Sequence, residues 1–316
     1  MKKLIYFAIA ALVPWSAIAQ TNQELKWTIT MKVVDEDGQP IEGANAAVGY
    51  GIAPGFLKPG QNNWGKVEGR TDTNGVFVAS HSNTRTFSLG IQAEKDGYYK
   101  TRIEYGLTPY FNYNAANWNP TVTLVLKKIG KPIPMHAKRI DMEPPVDDKP
   151  VGYDLMVGDW VGPYGKGINT DIVFTREYHR KSLQDYDYKL TVSFPKADDG
   201  IQEFPVPYKN MEGSALRSLH EAPADGYQPQ IVRLNVSHPG QKLILDYDEN
   251  RVYFFRVRTV LDENGNVKSA LYGKIYGDFM QFKYYLNPTP NDRNVEFDPK
   301  QNLVKGLKSG EGVDAP

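Results

Sequence analysis

The sequence predicts an all-β protein, with a seven-stranded N-terminal β-sandwich followed by a second β-rich unit that is a sandwich or an open barrel. Short segments alternate between apolar and polar residues, as in Lys26–Val34, where Trp27, Ile29 and Met31 share one face. Tyr (20), Gly (28) and Pro (22) are abundant among the 316 residues, which favours strands and turns over long helices. Strands do not alternate with helical segments, so a parallel α/β sheet is disfavoured.

Residues 1–19 are predicted to be a secretory signal peptide. Two lysines precede the apolar run Leu4–Val13, and Ala17 and Ala19 fit the small-x-small cleavage rule, so the mature chain would begin at Gln20. We therefore expect a periplasmic or extracellular protein. The sequence has no cysteine, so stability must come from ordinary cores rather than from disulfides.

The charge balance gives no electrostatic reason to expect a nucleic acid or an anionic membrane as a partner. The 37 Lys and Arg residues equal the 37 Asp and Glu residues, so the formal net charge is zero. After residue 19 no apolar run is long enough to predict a membrane span. The oligomeric state is left open by the sequence.

Three spaced signatures in residues 20–129 resemble a known family. They are Val33-Val34-Asp35 with Gly38-x-Pro40-Ile41-x-Gly43-Ala44, Thr71-Asp72-x-x-Gly75-x-Phe77, and Gly97-Tyr98. In this order they resemble the carboxypeptidase regulatory-like domain, a transthyretin-like β-sandwich. Members of that family are usually non-catalytic attachments to enzymes, receptors or adhesins. The resemblance therefore implies an accessory module and carries over no active site.

A proline-rich segment, residues 130–150, is predicted to link the two units. It contains five prolines, which favour extended chain and do not build a core. Apolar residues also alternate within it, at Ile133, Met135 and Ile140, which favours a linker lying along a surface.

Residues 151–305 are predicted to form the second unit, a β-rich domain. Seven segments have strand character, Asp262–Asn266 has the composition of a hairpin turn, and a short helix is predicted near Glu212–Leu219. Residues 306–316 are small and polar and are predicted to be a flexible tail. The unit is similar to uncharacterised secreted bacterial domains, a similarity that implies no activity and rests on Gly158-Asp159-Trp160-x-x-Pro163-Tyr164-Gly165-Lys166-Gly167, Glu221-Ala222-Pro223-x-x-Gly226-Tyr227 and Tyr272–Phe279.

Aromatic residues on two long insertions in the first unit are candidates for ligand binding. The insertions are Gly51–Gly65 and Leu107–Pro120, both rich in Pro, Gly and Asn. Aromatic rings on loops can stack on sugars or form a protein hot spot. The alternative is that the loops fold back and cover the end of the sandwich. The candidates are Trp64, Tyr110, Tyr113 and Trp118.

A second candidate ligand site is the glycine-rich segment Trp160–Lys166. Trp160 and Tyr164 could stack on a ligand, and Lys166 could meet an anion. The segment is not a phosphate-binding loop, because Gly167 follows the lysine where Ser or Thr is required. The alternative is a structural turn with packed aromatic residues.

The sequence favours no metal, cofactor or catalytic centre. No two of the five histidines have metal-ligand spacing, and the acidic segments fit turns. Asp171, Glu177 and His179 share one face of a predicted strand and are the best catalytic candidates, although a polar solvent face gives the same pattern.

Three functional hypotheses follow from these observations. The preferred one is an exported, non-catalytic binding protein of the cell envelope that binds a glycan or a protein partner. The first alternative is a secreted carbohydrate-active hydrolase, which requires a cleft in residues 151–305 with two carboxylates at catalytic separation. The second alternative is a structural envelope component, which requires a large exposed apolar patch or stable self-association.

Overall fold

The computed structural model of the protein is built from β-strands, as the sequence predicts. Within its described residues no helix occurs, twenty strands form four sheets, and no sheet closes into a barrel. The predicted fold class is confirmed. The predicted signal peptide lies outside the described residues, which are 25–52, 62–83, 86–106, 119–141, 143–206, 213–279 and 281–316.

The first seven strands form the predicted N-terminal sandwich. One sheet has the order β4-β1-β7 and the other β3-β2-β5-β6, with β1 and β7 parallel. Trp27, Ile29, Met31 and Val33 are buried between the sheets, as their alternation predicts. The strands are β1 Leu25–Val34, β2 Asn45–Ile52, β3 Trp64–Arg70, β4 Val76–Asn83, β5 Thr86–Glu94, β6 Thr101–Gly106 and β7 Thr121–Val125.

Two acidic turns shape this sandwich and explain the residues that first suggested it. The Asp35 carboxylate accepts the backbone N–H groups of Asp37 and Gln39, at 3.0 and 2.8 Å. Asp72 receives two backbone N–H groups in the same way. A Cβ on Gly75 would lie 2.4 Å from the Val33 carbonyl oxygen, so only glycine fits there. These acidic residues are therefore turn-forming residues.

Twelve of the thirteen strands that follow β7, all except β14, build a second sandwich of two six-stranded sheets. Their orders are β10-β9-β11-β12-β15-β16 and β13-β17-β18-β19-β8-β20. Aromatic side chains from both sheets fill the space between them, among them Tyr153, Phe174, Phe255 and Tyr284. The strands are β8 Ile133–Ile140, β9 Pro150–Asp154, β10 Asp159–Trp160, β11 Ile172–Ser182, β12 Asp185–Ser193, β13 Gly200–Phe204, β14 Gly213–Ser214, β15 Gln230–Ser237, β16 Ile244–Leu245, β17 Val252–Leu261, β18 Val267–Asp278, β19 Gln281–Leu286 and β20 Phe297–Asn302.

The turn predicted at Asp262–Asn266 joins β17 to β18. Asp262 donates its N–H to the Asn266 carbonyl at 2.8 Å, and its carboxylate accepts two further N–H groups. Gly265 has φ of 82°, a conformation that glycine adopts without strain. The hairpin prediction is therefore confirmed.

The segment predicted as a linker contributes a strand to the second sandwich. The expectation that it builds no core is wrong for Ile133–Ile140, which forms β8 and lies between β19 and β20. Met135 and Ala137 are fully buried on one face of this strand, and Ile140 is buried on the other. The apolar residues favour a strand here in spite of Pro132 and Pro134. These two prolines lie at the start of the strand, where a missing N–H group is tolerated. The division of the chain into two domains stays a prediction.

Two other expectations for the C-terminal half are wrong. The tail is packed rather than flexible, because Val313 is buried and the carbonyl of Glu311 accepts the Arg139 N–H at 2.8 Å. No helix forms in the described part of Glu212–Leu219, because Gly213 and Ser214 pair with β6 instead. This two-residue strand, β14, becomes the outer strand of a sheet of the N-terminal sandwich.

A buried ionic network joins the two sheets of the second sandwich. Arg258 lies at a bulge in β17 with φ of 56°, which directs its guanidinium toward β9 and β11. Its Nε lies 2.7 Å from one Asp171 oxygen, and its Nη2 lies 3.0 Å from the other and 3.3 Å from Asp154. Both carboxylates are 1% exposed. Removing one partner would leave a buried charge uncompensated.

We predict that Arg258→Met destabilises the protein by about 3–5 kcal/mol, because two buried carboxylates lose their cation. Urea unfolding followed by fluorescence measures the change. Arg180→Met is the matched control, since Arg180 is exposed and lies on β11, and it should change the free energy of unfolding by less than about 0.5 kcal/mol. Equal effects of the two substitutions would contradict a special role for Arg258.

Candidate functional site

Three adjoining cavities form the best candidate site in the described residues. The first, here the tryptophan cavity, measures about 310 Å³ and lies on the β3-β2-β5-β6 sheet. Gly49 and Gly90 are directly opposite each other in β2 and β5, so neither contributes a side chain at the centre of this face, and the Arg102 guanidinium lies over Gly90. Trp64, which is 59% exposed, stands at its edge on β3. Paired glycines and a neighbouring ring thus make a shallow binding depression.

The second cavity, here the cationic cavity, measures about 520 Å³ and lies where the two sandwiches meet. Strands β5, β6 and β14 form one side, and β8, β18 and β19 with Ala315 form the other. Both halves of the chain contribute cationic side chains to this cavity. Its charged lining residues in the described chain are Lys100, Arg102, Arg139, Arg217, Lys283 and the single carboxylate Glu249.

The third cavity, here the tyrosine cavity, measures about 640 Å³ and lies at one end of the second sandwich. In register, Tyr178 of β11 lies opposite Tyr188 of β12, which lies opposite Asn235 of β15. The Tyr178 and Tyr188 rings pack edge to face with centroids 6.0 Å apart. Tyr186 and Tyr247 add two more rings, and the polar lining residues are Asp141, Glu143, Asn235 and Gln281.

Shared lining residues connect the three cavities into one groove. Gln92 and Arg102 line both the tryptophan and the cationic cavities. Tyr247 and Gln281 line both the cationic and the tyrosine cavities. The groove therefore runs from the first sandwich, past the junction, onto the second. It suits an extended ligand that contacts both units.

The electrostatic character changes along this groove. In the tyrosine cavity, Glu143 forms an ion pair with Arg176, which also pairs with Asp147. Burial, with the nearby Glu143 charge, raises the pKa of Tyr188 to about 12, so its phenol stays protonated at neutral pH and can donate a hydrogen bond. The cationic cavity, by contrast, is lined by five Lys and Arg side chains and one carboxylate. A ligand lying along the groove meets hydrogen-bonding groups and rings at one end and positive charge in the middle.

A buried lysine lies beneath the cationic cavity. Lys274 is fully buried, and its Nζ is 3.3 Å from Ser218 Oγ and 4.8 and 4.9 Å from the ring centroids of Tyr276 and Tyr285. No carboxylate of the described chain lies within ion-pair distance of it. Burial, reinforced by the charge of Lys127, holds its pKa well below the usual range of lysine. Tyr276 separates this amine from the cavity that it lines.

The Trp160–Lys166 segment is a structural loop. Trp160 is buried against Tyr153, with ring centroids 5.1 Å apart, so the prediction that it stacks on a ligand is wrong. Asp159 accepts the N–H groups of Trp160 and Lys166, both at 2.9 Å, which closes the loop. A Cβ on Gly165 would lie 2.4 Å from the Trp160 carbonyl oxygen. Tyr164 and Lys166 are exposed on this loop and line none of the three cavities.

The catalytic candidates do not form one centre. Asp171 is buried in the ion pair with Arg258, Glu177 pairs with Lys189 at 2.7 Å, and His179 is exposed, 4.0 Å from Asp148. Each side chain therefore has a different partner. Their common strand face, which suggested a catalytic role, comes from alternation alone.

Trp64 is the one predicted aromatic candidate that the structure places in the groove. Tyr110, Tyr113 and Trp118 lie outside the described residues. Within the described part of the chain, no group of three or more acidic or histidine side chains is arranged to hold a metal ion. In the same part, no helix is long and apolar enough to cross a bilayer.

Sequence reasoning missed the tyrosine and cationic cavities. Tyr186 and Tyr188 are spaced by two residues, a signal of one strand face that was available. Arg139 and Lys283 are far apart in the sequence and become neighbours only through the pairing of β8 with β19. That register cannot be read from the sequence.

Comparisons with known proteins add little to this geometry. No protein-family model matches the chain, and no curated protein matches it. A 3-chlorocatechol 1,2-dioxygenase from Rhodococcus opacus 1CP is 14% identical, with a TM-score of 0.25 over 35% of this chain and 62% of its own. A mutant of the shaft pilin SpaA from Lactobacillus rhamnosus GG is 12% identical, with a TM-score of 0.23 over 61% and 95%.

A third similar structure is a candidate carbohydrate-binding protein from Bacteroides uniformis ATCC 8492. It is 8% identical, with a TM-score of 0.19 over 84% of this chain and 98% of its own. The chain spans between 55% and 63% of the length of the dioxygenases that it matches. At these identities and TM-scores, likeness says nothing about activity, so function is argued from the groove itself.

We predict that Lys274→Met stabilises the protein at neutral pH by about 1–3 kcal/mol, because a buried amine without a carboxylate is replaced by an apolar chain of similar length. The pH dependence identifies the cause. Since the folded pKa is lowered and the unfolded pKa is about 10.4, the unfolded chain holds a proton that the folded chain lacks. Wild-type stability should therefore rise with pH between about 7 and 9.

Urea unfolding at several pH values measures this slope, which should be smaller in Lys274→Met than in the wild type. Lys300→Met serves as the control, because Lys300 is exposed on β20 and should leave both the stability and the slope unchanged. A destabilised Lys274→Met with an unaltered slope would contradict the buried neutral amine.

Proposed function

We propose that the protein is an exported, non-catalytic binding protein of the cell envelope whose groove holds an extended glycan. The observation that supports this most directly is the tyrosine cavity. It combines four phenol rings with carboxylate and amide side chains in one open cavity of about 640 Å³. Ligand sites characteristically pair apolar rings with a few directed polar groups.

Each part of the tyrosine cavity matches a part of a sugar. The apolar C–H face of a pyranose ring packs on an aromatic face, and Tyr247, which is 41% exposed, offers one where the cationic and tyrosine cavities adjoin. The sugar hydroxyls need directed hydrogen-bond partners. Asp141, Asn235 and Gln281 supply oxygen or amide groups around the rings. Trp64 offers a further ring at the far end of the groove.

The proposed export rests on the predicted signal peptide and on composition. The resemblance of the first unit to carboxypeptidase regulatory-like domains stays part of this proposal and implies an accessory role. The groove extends that role, because the first unit forms its first cavity and contributes Gln92, Lys100 and Arg102 to its second. Both units are therefore proposed to contact the ligand.

A hydrolase is the second candidate, because two carboxylates, Asp141 and Glu143, line the tyrosine cavity. They precede residue 151, whereas the hydrolase hypothesis requires them in residues 151–305. Glu143 is also ion-paired with Arg176, so this carboxylate already has a partner within the protein. Release of reducing ends from an oligosaccharide, abolished by Asp141→Asn, would favour this candidate over a binding protein.

We predict that Tyr247→Ala weakens glycan binding by roughly tenfold or more, because an exposed ring at the centre of the groove acts as a hot spot. Titration calorimetry of the mature chain with a panel of oligosaccharides measures the affinity. Tyr164→Ala is the matched control, since Tyr164 is 42% exposed, nearly the same as Tyr247, and lies outside the groove. Affinity lost equally in both variants would contradict the site.

Binding would also raise the unfolding temperature, since a ligand at about a hundred times its Kd adds roughly 2.7 kcal/mol to the stability. A panel in which no oligosaccharide binds would overturn the glycan proposal. It would then favour a protein partner, for which the exposed apolar residues Leu243, Ile244 and Leu245 beside the groove are the first surface to test.

A further inference from the structure

Two cations lie directly opposite each other in the floor of the cationic cavity. Lys283 of β19 is the register partner of Arg139 of β8, so both side chains lie on the same face of the sheet. Like charges in this position destabilise a strand pair. Neither side chain has an ion-pair partner in the described chain. The sheet therefore maintains a repulsion that a bound anion would relieve.

The opposite wall of the same cavity adds groups that suit an anion. Arg102 of β6 is exposed there, and Arg217 is half-buried, with its guanidinium 5.5 Å from the centroid of the Tyr276 ring. Ser214 lines the cavity, and its buried Oγ has no hydrogen-bond partner in the described chain.

We propose that the glycan in this groove is acidic, and that Arg139 and Lys283 bind its carboxylate or sulfate group in the cationic cavity. This inference rests on the proposed function, because it names the class of glycan for the same groove. The formal net charge of the whole chain is zero, so the cations of this cavity are a local concentration and not a sign of a generally basic surface. Tyr247, shared by the two cavities, would bridge from the sugar ring to the charged substituent.

The groove favours an acidic glycan over a nucleic acid. A nucleic acid carries a negative charge at every nucleotide along its length. The tyrosine cavity presents the carboxylates of Asp141 and Glu143, which would repel a continuous polyphosphate. A glycan with charges on only some of its sugars can place neutral rings there and an acidic group between Arg139 and Lys283.

The test uses oligosaccharides in which only some sugars are charged, from hyaluronan, from a partly methyl-esterified galacturonan and from keratan sulfate, each paired with its carboxyl-reduced or desulfated form. Titration calorimetry on the mature chain should give about tenfold tighter binding for the acidic member of at least one pair. The advantage should shrink with added salt, because the Debye length falls from about 10 Å at 0.1 M to about 3 Å at 1 M.

The double variant Arg139→Gln with Lys283→Gln should remove the acidic preference, so that the acidic and neutral members of each pair bind with equal affinity. Lys300→Gln with Lys305→Gln makes the same change of charge on exposed residues outside the groove and should leave the preference intact. Circular dichroism and the unfolding temperature show that both double variants are folded.

Three outcomes would overturn the inference, and the first of them separates it from the proposed function. Neutral and acidic members that bind equally well would refute the charge preference and leave glycan binding standing. No binding of any glycan would refute both. A single-stranded oligonucleotide that binds more tightly than every glycan at physiological salt would also overturn the acidic-glycan assignment.

Discussion

The ion pairs of the half-buried Arg258 with two buried carboxylates are the constraint on which the second sandwich depends. The Arg258 guanidinium lies between Asp154 and Asp171, so it ties β17 of one sheet to β9 and β11 of the other. Asp154 also accepts the backbone N–H groups of Ile168 and Asn169, at 3.0 and 2.9 Å. Burial opposes ionisation of Asp154, but these and two further N–H groups outweigh it and lower its pKa. The network therefore fixes the loop after β10 together with the spacing of the sheets.

The spacing of the sheets matters for the groove because its walls come from different sheets. Three strands of one sheet carry a row of lining residues, which is Tyr178 on β11, Tyr188 on β12 and Asn235 on β15. Asp141 follows β8 and Gln281 begins β19 in the facing sheet. A sheet that slid by one residue would turn every ring of the row to the opposite face. The Glu296 carboxylate adds a comparable restraint at the junction, since it accepts the Gly130 N–H and pairs with His220, which also contacts Glu36 of the first sandwich.

Local signals in the sequence predicted much of the fold and little of the site. Alternation in β1 and the turn chemistry of Asp72 and Asp262 act within a few residues, and the structure confirms the strands and turns that they predict. Proline content was a poorer guide, because the apolar alternation of Ile133–Ile140 decided its structure. The groove depends on pairings between distant segments, such as β8 with β19, which no local pattern specifies. Trp64 was predicted as a candidate because it lies in an insertion rich in Pro, Gly and Asn, and the structure places it at the start of β3.

Gly213 and Ser214 connect the two halves of the chain in a way that bears on their evolution. They give the sheet of the first sandwich its last strand, although they come from the second half of the sequence. Recombination that carried residues 25–125 into another gene would leave this strand behind and expose β6 as an open sheet edge, which invites aggregation. The first sandwich thereby depends on the second half of the chain for a complete sheet. We therefore expect the two halves of the chain to be inherited together in one gene.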